Sequence, residues 1–301
     1  MKRWWWLLPI VICWVLPACD EEQETPPPGP TPTKENTVQM LISNAWDPCY
    51  APTGAKLVFV EAHHLAVYDT VTRQKTIITE EFGSAEYCPK QPVWLAGDTV
   101  AFVRKDETSF EHRIWTVPAG GGTVTRFDVD VDKDSSLGGD ATGRYVYFTI
   151  KTDYFIRRLD LQTGETLNLT NSHLRGYGHA DPVAKPGVER IYFIERMIPF
   201  NPQPHTEYLN ETNASLAGTP KLLLNTDKPF LEGLTISPDG KYAVYPHRDG
   251  LWAYEILAGK ETWLTRAPDK WAHKDRHPSY SADGTTVVFT RNNNLYTCEA
   301  P

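Results

Sequence analysis

Apolar and polar positions alternate along this chain in a pattern that returns six times. A turn glycine is followed by a short, β-branched apolar run that closes on an aromatic, in the pairs Gly54 and Phe59, Gly97 and Phe102, Gly143 and Phe148, Gly187 and Phe193, Gly240 and Tyr245, Gly284 and Phe289. Runs of this length and composition between turn residues predict strands. No segment after residue 36 carries a helical period. A second apolar run follows in five of the units, at 65–69, 114–117, 156–160, 251–255 and 295–299. A third follows at 76–79, 123–127, 166–170, 221–224 and 262–265. With the strand before each glycine, such as 234–237, every unit holds four strands.

The six aromatics stand 43, 46, 45, 52 and 44 residues apart, a period that fits the blades of a β-propeller, each about 40 to 50 residues long. The sixth unit stops after its third strand, while 38–44 reads as a fourth strand with no unit of its own. The expected fold is therefore all-β, a six-bladed propeller over residues 37–301 whose N-terminal strand completes the last blade. Closure of that kind pairs strand edges that would otherwise invite association.

The run Ile236-Ser237-Pro238-Asp239-Gly240-Lys241, followed by Trp263-Leu264-Thr265, resembles the repeat of TolB-type β-propellers. Ser281-Ala282-Asp283-Gly284 and Ala51-Pro52-Thr53-Gly54 are similar to it, whereas blades two to four keep little beyond the glycine. The resemblance implies the fold. Propellers of this kind serve as binding platforms, periplasmic partners and enzyme domains alike, so it does not fix an activity.

Residues 1–18 combine Lys2 and Arg3 with an apolar run ending at Leu16-Pro17-Ala18 before Cys19, the layout of a secretory signal. Small residues leading into a cysteine resemble the bacterial lipoprotein cleavage box, which implies acylation of Cys19 and a bilayer anchor. The expected location is then the cell envelope, on the periplasmic side of either membrane or at the cell surface. Residues 19–36 are acidic and proline-rich with nothing aliphatic or aromatic to bury, a solvated tether extending about 3 Å per residue where it adopts polyproline geometry.

The formal charge is −8, and cleavage at Cys19 would remove two more positive charges, which argues against nucleic acid as a partner. In an oxidising compartment Cys49 and Cys88 form a candidate disulfide; the alternative is three buried thiols with Cys298.

Aligning the blades by their first strands superposes Asp47, Gln91, Ser136, Asp181, Gly233 and His277 near one end of the channel, with Asp47, Asp181 and His277 directly before proline. His179, His273 and Asp275 lie two or four residues upstream, and all nine histidines map to the loops of that same face. Such groups cap turns, recognise a ligand, or hold a metal if three or four converge. The stretch 195–218 reads as an insertion overhanging this face, a lid-like loop carrying Phe200, His205 and Tyr208. Trp46 and Trp271 are the stacking candidates.

No Gly-x-Ser-x-Gly or other nucleophile signature accompanies the repeats. The leading expectation is a scaffold that binds an envelope protein or peptide, with no cofactor and no catalytic residue. The alternative is a propeller enzyme, similar to oligogalacturonate lyase, that uses channel histidines and a metal on an acidic polysaccharide, with local cations from His63, His64, Arg248, Arg276 and Arg291.

Overall fold

The computed structural model describes residues 37–80, 87–131, 136–150, 153–171, 177–185, 189–197, 207–215, 217–226, 230–267 and 274–301. Residues 1–36 with Cys19, and Phe200, His205, Trp271 and His273, lie outside them. The described residues all fall within one compact unit.

Among the described residues the regular elements are 24 strands in six four-stranded sheets, each a blade. Blade one comprises β2 (Ala45–Tyr50), β3 (Lys56–Glu61), β4 (His64–Asp69) and β5 (Lys75–Ile77). Blade two follows with β6 (Lys90–Leu95), β7 (Thr99–Lys105), β8 (His112–Pro118) and β9 (Thr125–Asp130). Blade three holds β10 (Gly138–Gly139), β11 (Tyr145–Thr149), β12 (Ile156–Asp160) and β13 (Thr166–Asn168). Blade four is β14 (Tyr177–Ala184), β15 (Arg190–Met197), β16 (Glu207–Asn213) and β17 (Lys221–Thr226). Blade five is β18 (Thr235–Ile236), β19 (Tyr242–His247), β20 (Gly250–Glu255) and β21 (Lys260–Trp263). Blade six contains β22 (Asp275–Tyr280), β23 (Thr286–Arg291) and β24 (Asn294–Glu299), and its outer strand is β1 (Gln39–Ser43). The first strand of the ring thus completes the last sheet, with Gln39 opposite Thr297 and Ser43 opposite Asn294.

Phe59, Phe102, Phe148, Phe193, Tyr245 and Phe289, the repeated aromatics, are all fully buried. Each sits on the second strand of its blade, and burying one such ring contributes about 1.5–3 kcal/mol. The cores lie between neighbouring blades: Val58 and Val60 of blade one pack with Val100 and Phe102 of blade two, and Tyr192 and Ile194 of blade four with Tyr245 and Trp252 of blade five. Trp94, Trp115, Trp252 and Trp263 belong to this packing.

The Ser-x-Asp-Gly turn has a direct mechanical role. The Ser237 hydroxyl donates to Asp239 Oδ1 (2.7 Å) and accepts from the Tyr242 amide (2.9 Å), while Asp239 Oδ1 also accepts from the Lys241 amide (3.0 Å). Ser281 and Asp283 repeat the arrangement in blade six. The glycine closes the turn at positive φ, +73° at Gly240 and +72° at Gly284, where other residues are strained.

Blade four corrects one expectation. Within 195–218, residues 198–206 and 216 lie outside the described ones, and the described part holds strand at both ends of the first gap: β15 runs on to Met197 and β16 supplies the third strand that hydrophobic patterning does not reveal. The reason is that β16 buries polar groups. Glu207 and Glu211 lie inside, Glu211 held by Arg190 (3.0 Å) and Lys221 (3.0 Å), and Asn210 donates to Glu195 (3.4 Å). Tyr208 is accordingly a strand residue between Glu195 and Asn225, not part of a lid.

Candidate functional site

Four of the six first strands carry a proline in their middle, Pro48, Pro92, Pro182 and Pro278, and each marks a bulge. Ladder register shifts between Trp46 and Cys49, Lys90 and Val93, Ala180 and Val183, and Arg276 and Ser279. Proline has no amide to give the ladder, so an inner strand accommodates it where pairing is already interrupted. The preceding residue takes up the bend in the left-handed region: Asp47 at φ +52°, Gln91 at +47°, Asp181 at +51° and His277 at +49°. Non-glycine residues adopt this conformation at a cost of about 1–3 kcal/mol each, and such strain concentrates at functional sites. Gly233 occupies the same place in blade five at φ +104°, where a Cβ would meet the His277 backbone at 2.7 Å.

The bulges bring the six aligned positions together. Asp47, Gln91, Ser136, Asp181, Gly233 and His277 all line one cavity of about 240 Å³ that runs along the first strands. Asp47, Gln91 and His277 also line a second hollow of about 310 Å³ with Trp46, Lys90, Glu232, Arg276, Thr290 and Asn293. The ring therefore forms a neck between an upper mouth and a channel cavity beneath.

Ring contacts cross from blade to blade. His277 Nε2 stands 3.3 Å from Asp47 Oδ1 and 3.6 Å from Glu232 Oε2, and Glu232 receives Arg276 Nη1 at 2.8 Å. Gln91 donates its amide to Asp47 Oδ2 (3.1 Å), Asp47 its own to the Thr290 hydroxyl (3.0 Å), and His277 its own to the Glu232 carbonyl (3.0 Å). Ser136 donates its hydroxyl to Asp181 Oδ1. Burial works against a charged His277, but the Asp47 and Glu232 carboxylates outweigh it and hold the imidazole above its usual range. The His277 imidazole beside it, helped by Arg276, brings Glu232 down to about 2 despite its burial.

Two expected site residues lie elsewhere. Asp275 is fully buried and clamped by Arg291, Nε to Oδ1 at 2.6 Å and Nη2 to Oδ2 at 2.8 Å, with Thr265 donating to Oδ2 at 2.7 Å. That pair also removes Arg291 from the candidate ligand cations. His179 is buried against the Phe193 ring, its Nδ1 2.8 Å from the Thr170 hydroxyl. Both residues precede the bulge, and its extra residue changes the parity of the strand, so positions 275 and 277 do not share a face.

These contacts explain the Leu-Thr of the repeat. The hydroxyls of Thr79, Thr170 and Thr265 accept the amides of Leu65, Ile156 and Leu251 (2.9, 2.9 and 3.0 Å), bonding the third strand in blades one, three and five. Thr170 and Thr265 then engage His179 and Asp275 of the following blade, fastening neighbours together.

The remaining described histidines divide between positions. His63 and His64 lie at the β3–β4 hairpin, His112 opens β8 and His247 closes β19, all where the second strand of a blade passes to the third, whereas His179 and His277 are inside first strands. Cys49 and Cys88 are unpaired thiols, not a disulfide. The Trp94 amide donates to Cys49 Sγ (3.3 Å), and burial raises both thiols, Cys88 to about 11. Glu232 is the mouth residue that motif reading passes over; its position directly before Gly233, the blade-five member of the alignment, is the signal that finds it. Among the described residues no group of three or more His, Cys, Asp or Glu is placed to hold a metal ion.

No protein-family model matches the chain, and no curated protein sequence matches it. Solved structures do. A putative TolB from Agrobacterium tumefaciens aligns with TM-score 0.58 at 14% identity, over 87% of this chain and 91% of that one. An oligogalacturonate lyase in complex with manganese aligns with TM-score 0.56 at 15% identity, over 87% and 78%. TolB from Acinetobacter baumannii aligns with TM-score 0.54 at 15% identity; the match spans 88% of this chain but 55% of that one. At these identities the likeness establishes the shared six-bladed propeller and nothing finer.

Proposed function

We propose that this chain is a cell-envelope lipoprotein, anchored through Cys19, whose propeller is a non-enzymatic module holding a protein or peptide partner at its upper mouth. The observation that carries this reading is the neck itself. Strained pre-proline residues from separate blades are fixed by contacts between blades, and they present Glu232, Arg276, Lys90 and Trp46 on a preformed surface of mixed charge. Preformed polar groups around an aromatic suit recognition of a polypeptide, because few side chains need ordering on binding. The acidic tether of residues 19–36 gives the ring reach from the bilayer.

The test is capture of a partner from envelope extracts by the purified protein and by an Arg276→Gln, Glu232→Gln variant. Loss of one defined partner with the double variant supports the reading. Manganese-dependent cleavage of oligogalacturonate by the purified protein would replace it with the enzyme reading.

A further inference from the structure

The upper mouth holds more hydrogen-bond donors than it has acceptors to meet them. Trp46, Lys90, Glu232, Arg276, Thr290 and Asn293 line it and not the channel cavity beneath, so two cations stand there against one carboxylate. Glu232 is taken by Arg276 Nη1 (2.8 Å), and the Thr290 hydroxyl accepts the Asp47 amide (3.0 Å). At the neck below, Asp47 is taken in turn by His277 Nε2 (3.3 Å) and the Gln91 amide (3.1 Å). Lys90 is left over. Among the described residues its ammonium has no acceptor or counter-ion, and the Trp46 indole N–H and the Asn293 side-chain amide have no hydrogen-bond partner either. Lys90 and Trp46 are half-buried, yet neither nitrogen is closed off from solvent.

The hollow therefore lacks a charged acceptor. A carboxylate supplies two acceptor oxygens and one negative charge, which matches one surplus cation with neutral donors beside it. A neutral carbonyl accepts without balancing the charge, and a phosphate brings about two negative charges to one surplus cation. A metal ion would meet N–H donors and carboxylates that are already engaged. In a chain of net charge −8 this positive surplus is local, so it directs an anionic group to the mouth and not to the surface at large. With a volume of about 310 Å³ and its floor at the neck, the hollow takes one side chain or a chain end, not a strand laid through it.

We propose that the upper mouth binds a carboxylate of its polypeptide partner, with the Lys90 ammonium as counter-charge and Trp46 and Asn293 as neutral donors beside it. The carboxylate comes either from a glutamate or aspartate side chain or from the C-terminus of the partner. This inference rests on the reading of the mouth as a partner surface and names the group recognised there.

The experiment titrates the purified protein, followed by NMR, with four short glycine peptides and with trigalacturonate. One N-acetylated, C-amidated peptide carries a central glutamate and another its glutamine isostere; a third ends in a free carboxylate and a fourth in its amide. Saturable binding of the glutamate peptide or of the free-terminus peptide, with the neutral counterparts inert, is the expected result, and whichever binds identifies the source. Lys90→Met is expected to weaken that binding at least about tenfold, and Lys90→Arg to retain it. The comparison of charged and neutral probes uses the unaltered protein, so it holds whether or not a variant folds. Equal binding of charged and neutral peptides, no binding of either carboxylate peptide at millimolar concentration, binding of trigalacturonate alone, or an affinity unchanged in a folded Lys90→Met variant would overturn the proposal. An envelope partner captured equally by the unaltered protein and by Lys90→Met overturns this inference and leaves the partner reading standing. Carboxylate binding that depends on Lys90, with no partner captured, supports the recognised group and removes the partner reading.

Discussion

His277 Nε2 lies 3.3 Å from Asp47 Oδ1, an ion pair that ties the inner strand of the last blade to that of the first at the neck of the channel. Because the carboxylates raise His277 above its ordinary value of 6.5, the pair stabilises the ring fully below that value. The contribution fades as pH rises through the higher folded-state value. Thermal unfolding followed between pH 6 and pH 9 is expected to show a fall in Tm on the alkaline side that is missing from His277→Gln.

Glu232 has the opposite sign. Its carboxyl is lowered from 4.5 to about 2 by His277 and Arg276, so its contribution is present above 4.5 and is lost as pH falls toward about 2. Glu232→Gln is expected to flatten the acid limb of the stability profile over that window while leaving neutral-pH structure intact by circular dichroism.

Glycine is required at position 233 for two separable reasons. A Cβ there would meet the His277 backbone at 2.7 Å, and φ is +104°. Gly54 has φ +77° with nothing within 4 Å of an added Cβ, so it carries the backbone cost alone. Gly233→Ala is expected to cost about 2–4 kcal/mol and Gly54→Ala about 1 kcal/mol, measured by urea unfolding.

How far the sequence reaches can be judged at the same residues. The turn glycines and the buried aromatics repeat because every blade needs them, and the six-position alignment through Asp47 and His277 survives into three dimensions because each first strand enters the channel alike. Asp275 and His179 were unreadable for a local reason: a bulge between them and the ring reverses which face they occupy, and spacing does not encode a bulge. Strand β16 escapes because its inward positions are Glu207, Asn210 and Glu211, whose burial is made possible by partners distant in sequence such as Arg190 and Lys221.

Asp275 and Arg291 form a buried pair with both carboxylate oxygens engaged. Asp275→Ala leaves a guanidinium buried without its counter-charge and is expected to cost about 3–5 kcal/mol. Thr265→Val removes one hydroxyl from the same cluster, at a cost of about 1–2 kcal/mol. Denaturant unfolding of both variants checks the order.

The cysteines give a redox prediction. With Cys49 and Cys88 unpaired and raised by burial, alkylation under native conditions is expected to be slow and to become rapid in denaturant. Dithiothreitol should leave Tm unchanged; a fall of several degrees would reinstate the bridge.

Site-specific photocrosslinking tests the central claim, that the upper mouth is the partner surface, most directly. A photoreactive residue at Asn293, which lines the mouth, is expected to yield a discrete adduct in envelope extracts. One at Leu257, 93% exposed in the turn between β20 and β21 at the opposite face, is expected to yield none. A discrete adduct from Leu257 with none from Asn293 would contradict the account.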